Sequence, residues 1–177
     1  MTTPFLIFID GPMGSGKTTT TKLLNQKLPD TARIAMPDIK RLVPNYKENP
    51  NTLVVLRDVM TAMIDTYLRH GVSVIVELVT KADGIEMLKS IAEKHNATFY
   101  GYRLFAHEDT RQTRVHKRTK EMMSVSELPQ TKIDELTDYI TKNNQFYVDN
   151  PVSSIESIDT TEINPEQVAE IIVSKLS

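Results

Sequence analysis

Gly11-Pro12-Met13-Gly14-Ser15-Gly16-Lys17-Thr18 sets two glycines, a lysine and a hydroxyl at the spacing G-x-x-x-x-G-K-[ST]. Those residue types at those offsets suit the holding of a chain of phosphates. With no Cβ at Gly14 and Gly16, the backbone can wrap closely and aim successive N–H groups at anionic oxygens. Lys17 has the length to reach β and γ phosphates, and the Thr18 hydroxyl can ligate a magnesium ion bridging the same oxygens. The expected nucleotide cradle is therefore Gly11, Met13, Gly14, Ser15, Gly16, Lys17, Thr18 and Thr19, with Thr18 as metal ligand and Lys17 acting on the transferred group.

Such a loop belongs between a strand and a helix, whose N-terminus adds partial positive charge at the phosphates. Phe5 to Ile9 is an apolar run that predicts the strand. Thr20, Leu23, Leu24 and Leu28 then recur at helical spacing until Pro29 and Asp30 end the pattern. Further along, Arg33 to Met36 is a short strand candidate, and Asn51 to His70 pairs apolar residues four apart: Val55 with Val59, Leu56 with Met60, Met63 with Tyr67, Ile64 with Leu68. Val72 to Val76 fits a strand covered on both faces, and Gly84 to His95 a helix with Ile85, Leu88, Ile91 and Ala92 inward. Thr98 to Phe105 reads as a fourth strand. Glu108 to about Arg118 reads as a polar helix with few apolar anchors, so something other than a core must hold it. Ile133, Leu136, Ile140 and Tyr147 mark another helix, Val152 to Ile158 a weaker fifth strand, and Pro165 to Leu176 a closing helix. Strands alternating with helices predict an α/β sandwich, a parallel sheet with helices on both faces.

Bulk composition sets outer limits. A chain of 177 residues, 40% hydrophobic and 25% charged, suits a single domain over 1–177 with one sizeable core. A net charge of -2 weighs against a general nucleic-acid or membrane-surface binder, while leaving room for a local basic patch. The absence of cysteine excludes disulfides, zinc-thiolate sites and thiol catalysis. No stretch approaches a membrane span, and the N-terminus lacks a signal peptide's basic region and long apolar core, so a cytoplasmic location and no membrane partner are expected. His70, His95, His107 and His116 show no metal-ligand spacing, and Asp134, Glu135 and Asp138 read as a solvated face.

In parallel sheets ligands sit at the carboxyl ends of the strands, which directs attention to the residues just past each apolar run. After the second run, Asp38 and Arg41 share one face of a turn. Asp38 can take a proton from an attacking hydroxyl, with Arg41 on a phosphate or carboxylate of the acceptor; the alternative is Asp38 as a helix N-cap with Arg41 solvated. Glu77 ends the third run, facing magnesium and its waters or capping a helix. The polar helix carries Arg111, Arg114, Lys117, Arg118 and Lys120, with Arg114 and Arg118 on one face. It is read either as a basic lid over about 108–128 that clamps a triphosphate, with Met122 and Met123 as lid packing, or as a solvated basic helix.

These elements together resemble the small P-loop kinases of the polynucleotide kinase and zeta-toxin-like group, with an AAA-type ATP-binding domain, related to nucleoside monophosphate and chloramphenicol kinases. The residues that carry the resemblance are Gly11 to Thr18, then Asp38 and Arg41 as D-x-x-R, Val74 to Glu77, Arg114-Val115-His116-Lys117-Arg118-Thr119, and Ile158-Asp159-Thr160-Thr161. The resemblance covers nearly the whole chain and implies a P-loop NTPase three-layer sandwich with a five-stranded parallel sheet. It further implies ATP and Mg2+ as cofactors, Asp38 as general base, Arg41 and Glu77 on the acceptor side, and Arg114 and Arg118 as lid arginines on the ATP phosphates. The implied activity is transfer of the γ-phosphate to a hydroxyl of a small molecule, a nucleoside or nucleotide, or a nucleic-acid 5′ end. A nucleotide switch or ATPase without an acceptor is the alternative, and a regulatory protein that binds a partner through the lid helix is a third reading. Two departures stand out. Leu78 and Val79 come after Glu77 where the group often has Asp and small polar residues, which weighs against a polynucleotide end, and the short lid weighs against a nucleoside monophosphate kinase. Acceptor shape is expected to reside in Asn51 to Tyr67 and the segment after Asp38, and monomer and dimer fit equally well.

Overall fold

Short β-branched and apolar runs form the strands, and the longer patterned segments fold back over them as helices. The computed structural model describes residues 3–176, so the ends of the expected 1–177 domain, Met1, Thr2 and Ser177, lie outside the described residues. In chain order the elements are β1 (Phe5–Asp10), α1 (Lys17–Lys27), β2 (Thr31–Ala35), α2 (Met36–Lys40), α3 (Pro50–Arg69), β3 (Ser73–Glu77), α4 (Ala82–Lys94), β4 (Thr98–Phe105), α5 (Glu108–Met123), α6 (Gln130–Asp149), β5 (Glu156–Asp159) and α7 (Pro165–Val173). The five strands make one parallel sheet in the order β2-β3-β1-β4-β5.

Alternation along each strand divides the sheet between two cores. Leu6, Phe8, Ile34, Val74 and Val76 face α3 and α4, meeting Leu56, Met60, Ile64, Leu68, Ile85 and Leu88. Ile7, Ile9, Ile75, Tyr102 and Leu104 face α1 and α7, meeting Leu24, Val168, Ala169 and Ile172. The paired apolar pattern of α3 thus resolves into one core stripe, because Val55, Val59 and Tyr67 are exposed. Among the described residues, no helix is long and apolar enough to cross a membrane.

Three expectations change. Met36 opens a short helix rather than ending the second strand, with Pro37 in the first helical turn, where its fixed φ and missing N–H fit. β5 is confined to Glu156–Asp159, since Val152 and Ile155 are apolar by virtue of packing on the α3–α4 side and not by pairing in the sheet. The polar helix α5 does have a core, a small third cluster in which Val115 meets Leu128, Leu136 and Ile140, with Met13 of the phosphate loop packed against it.

Register places the functional edge. Ile9 and Ala35 both lie opposite Glu77, Asp10 lies opposite Arg103, and Phe105 lies opposite Asp159. The strands therefore end nearly level, and the loops after them converge.

Candidate active site

The loop between β1 and α1 is shaped for an anion. Gly14 has φ +82, and a Cβ there would stand 2.7 Å from the Arg111 carbonyl oxygen, so only glycine lets the loop pass against α5. No side chain caps α1. Its first-turn amides, Lys17, Thr18 and Thr19, have no partner within the helix, and such amides can bind an anion. The Ser15 hydroxyl, fully buried, also has no hydrogen-bond partner. This is a donor-rich concavity of the kind a polyphosphate fills.

Two cradle amides have another use. Gly11 N–H donates to the Tyr147 hydroxyl at 3.2 Å and Met13 N–H to Asn143 Oδ1 at 2.7 Å, so both fasten the loop to α6. The Tyr147 hydroxyl in turn donates to Asp10 Oδ1 at 2.7 Å, and Arg103 pairs with the other oxygen of that fully buried carboxylate, also at 2.7 Å. Burial and the charge of Asp10 push the Tyr147 pKa upward, so the hydroxyl keeps its proton as donor to Asp10.

Lys17 Nζ donates to the Pro12 carbonyl at 2.9 Å. Burial lowers its pKa to about 8 against the pull of Glu77 and Asp10, and the positive charges of Arg118 and Arg111 push in the same direction as burial. A polyphosphate would supply the negative charge this ammonium lacks.

Glu77, only 2% exposed, turns toward the phosphate loop rather than into open space. Its Oε1 accepts from the Thr18 hydroxyl at 2.5 Å, and its Oε2 accepts from Thr21 at 3.0 Å and from Arg33 Nη2 at 2.7 Å. The Thr18 oxygen keeps lone pairs for a metal while its O–H donates to Glu77. One hydroxyl with one carboxylate nearby is the donor set expected for magnesium, which draws its other ligands from phosphate and water.

Asp38 stands at the rim, its side chain 48% exposed, between Arg33 Nη1 at 2.8 Å and the solvent-exposed Arg41. No side chain caps α2, so Asp38 is not its N-cap. A continuous polar chain thus runs from Thr18 through Glu77, Arg33 and Asp38 to Arg41.

The arginines of α5 divide. Arg111 is buried and donates to the carbonyls of Ala106 and Met13 and to Asn144 Oδ1, so it ties α5 to the loop and to α6. Arg114 donates to the Thr160 carbonyl at 2.6 Å and to its hydroxyl at 3.2 Å, and that hydroxyl lies 3.0 Å from the Ser15 carbonyl. Arg118 is exposed and close enough to Lys17 for its charge to be felt there. Thr19 lies exposed on the first turn of α1.

Sequence reasoning passed over Asp10, Arg33 and Asn143 as working residues, met Thr160 only within the resemblance of Ile158 to Thr161, and counted Tyr147 as an apolar marker. Two signals were available: a carboxylate closing the most apolar strand, and an arginine inside T-A-R-I-A.

The chain is similar in fold to an APS kinase of Mycobacterium tuberculosis solved with AMPPNP and APS, at TM-score 0.66 and 10% identity over 98% of each chain. It is similar to the tunicamycin resistance protein of Deinococcus radiodurans at TM-score 0.60 and 21% identity, over 99% of this chain and 96% of that one. A shikimate kinase of Acinetobacter baumannii, solved with shikimate, aligns at TM-score 0.60 and 16% identity, over 99% and 97%. These likenesses establish the P-loop kinase fold. No curated protein matches by sequence. A family model described as an AAA domain matches residues 6–142, from the first buried strand to beyond the lid, and the chain therefore belongs to the AAA domain family.

Proposed function

We propose that the protein is an ATP-dependent kinase of the cytoplasm that moves a γ-phosphoryl group onto a hydroxyl-bearing acceptor. The observation that carries this reading is the half-exposed Asp38, joined through Arg33 and Glu77 to the Thr18 hydroxyl of the phosphate cradle. A nucleotide switch has no need of a carboxylate held open at the end of β2. The kinase fold shared with the APS and shikimate kinases supports the same reading.

The chain's own groups divide the chemistry. Amides of the loop and the first turn of α1 hold the phosphates, and Lys17 with Arg118 offsets the charge that builds on the γ group. Thr18 and Glu77 would hold Mg2+, which supplies further neutralisation of the phosphate oxygens. The acceptor oxygen bonds to the γ-phosphorus as the bond from that phosphorus to the bridging oxygen breaks, and ADP leaves. Asp38 takes the hydroxyl proton late in the transfer, and Arg41 positions the acceptor. Arg114 holds the lid to the Thr160 segment at the rim of the nucleotide site.

The test is incubation with γ-labelled ATP and magnesium against nucleosides, 5′-hydroxyl oligonucleotides, sugars and other small alcohols, beside Asp38→Asn. Labelling of one acceptor class, lowered about 100-fold or more by the substitution with metal-free nucleotide affinity within about twofold, is the expected result. Tight ATP binding and slow hydrolysis with no acceptor labelled would return the protein to the class of switches.

A further inference from the structure

Two carboxylates flank the proposed transfer site, and one guanidinium holds both. Arg33 projects from the middle of β2 with its side chain 13% exposed. Its Nη1 donates to Asp38 at 2.8 Å, its Nη2 to Glu77 at 2.7 Å and its Nε to the Thr21 hydroxyl at 2.9 Å. Among the described residues, Arg33 is the cation within ion-pair distance of Glu77. Asp38 has a second partner in Arg41, which is itself 77% exposed and free to turn to an acceptor.

Building on the kinase reading, we propose that Arg33 is a positioning residue that couples the metal side of the site, Thr18 and Glu77, to the acceptor base, Asp38. The rigid planar fork of a guanidinium puts separate donors on Asp38, Glu77 and Thr21 at once, a span and fixed geometry that the compact ammonium of a lysine does not reproduce. Glu77 and Asp38 consequently share one cation. When Glu77 turns its charge to a divalent ion beside Thr18, Arg33 is left to orient Asp38. When Asp38 loses its charge, Arg33 belongs wholly to Glu77, which then offers the metal less. Linkage makes the two effects equal in free energy. Thr21 fixes the fork, because its hydroxyl accepts from Arg33 Nε and donates to Glu77 Oε2. The same hydroxyl lies 3.2 Å from the Thr18 carbonyl, so the hub is anchored to the first turns of α1.

Binding alone can test the coupling, with no acceptor in hand. Free Mn2+ is followed by electron paramagnetic resonance during titration of the protein saturated with a non-hydrolysable ATP analogue. Four proteins are compared: the unchanged chain, Asp38→Asn, Arg33→Lys and the double variant. Asp38→Asn is expected to weaken Mn2+ binding about 5-fold or more when Arg33 is present. In the Arg33→Lys background the same substitution is expected to change it less than about 2-fold. Equal effects in the two backgrounds would assign everything to through-space charge and overturn the proposal. Thermal unfolding checks that Arg33→Lys folds, and Arg33→Gln, which keeps a hydrogen-bonding head, replaces it if it does not. Because no phosphoryl transfer is measured, additivity here removes the coupling alone, whereas absence of any labelled acceptor removes the kinase reading alone.

Discussion

Lys17 shows how a residue's setting decides what it binds and at what pH. Burial lowers its pKa from 10.5 to about 8 because the folded chain brings more apolar and cationic surroundings to it than Glu77 and Asp10 offset. Between those two values the unfolded chain holds a proton that the folded one has released. The cost of burying the ammonium is thus fully present below pH about 8, and stability recovers as pH rises toward 10.5. Phosphates favour the protonated form, so binding reverses the shift and takes up a proton. Nucleotide affinity is expected to fall above pH about 8, approaching about tenfold per unit. Calorimetry in buffers of differing ionisation enthalpy should show proton uptake at pH about 9, well above the shifted pKa, and almost none two units lower. Affinity that stays flat to pH 10, with no proton taken up, would show that Lys17 is not the group under the phosphates.

Helix α6 does more than pack against α5. Asn143 and Tyr147 lie one helical turn apart and grip successive parts of the phosphate loop, the Met13 and Gly11 amides, while Asn144 holds Arg111 of α5. Tyr147→Phe removes a hydroxyl that both accepts from Gly11 and donates to Asp10. It is expected to cost about 1–3 kcal/mol by denaturant unfolding and to weaken nucleotide binding, since a buried amide loses its acceptor and the loop its brace. A stability change within experimental error would mean that water replaces the hydroxyl. Nothing in the sequence signals this role, because Tyr147 falls on the apolar stripe with Ile133, Leu136 and Ile140, and spacing records which way a side chain points but not what its tip meets. The same limit hid Arg33, whose partners come from α1, α2 and β3. By contrast Thr98 to Phe105 was legible to the residue, as its flanks Asn96 and His107 break the pattern on both sides. The loop from Gly11 to Thr18 was legible because local backbone needs, and not distant contacts, dictate its residue types. The strand-end rule then led to Asp38 and Glu77, although it could not say that Glu77 turns inward to Thr18.

At the scale of the molecule, the strands' level ends gather pieces from the end of β3, the β4–β5 connection and the segment after β5 onto one loop. Thr160 after β5 holds the Ser15 carbonyl, Arg111 after β4 the Met13 carbonyl, Glu77 at the end of β3 the Thr18 hydroxyl, and α6 the amides of Gly11 and Met13. A ligand bound in the loop therefore ties together the end of β3, the segment after β5, α5 and α6, without touching the cores beneath α3, α4 and α7. At about 100 times its Kd, nucleotide adds about 2.7 kcal/mol to the folded state. For a chain of this size that should raise Tm by about 5–10 °C. Hydrogen exchange should then slow in 11–20, in the first turns of α5 and in the part of α6 around Asn143, while the lower turns of α3 and α4, packed on the far side of Phe8 and Val76, change little. A uniform slowing over the whole chain would mean that exchange proceeds by global unfolding alone. Protection confined to 11–20 would mean that α5 and α6 are not braced by the loop, and Tyr147→Phe should reproduce that narrower pattern if the α6 grip is what spreads the effect.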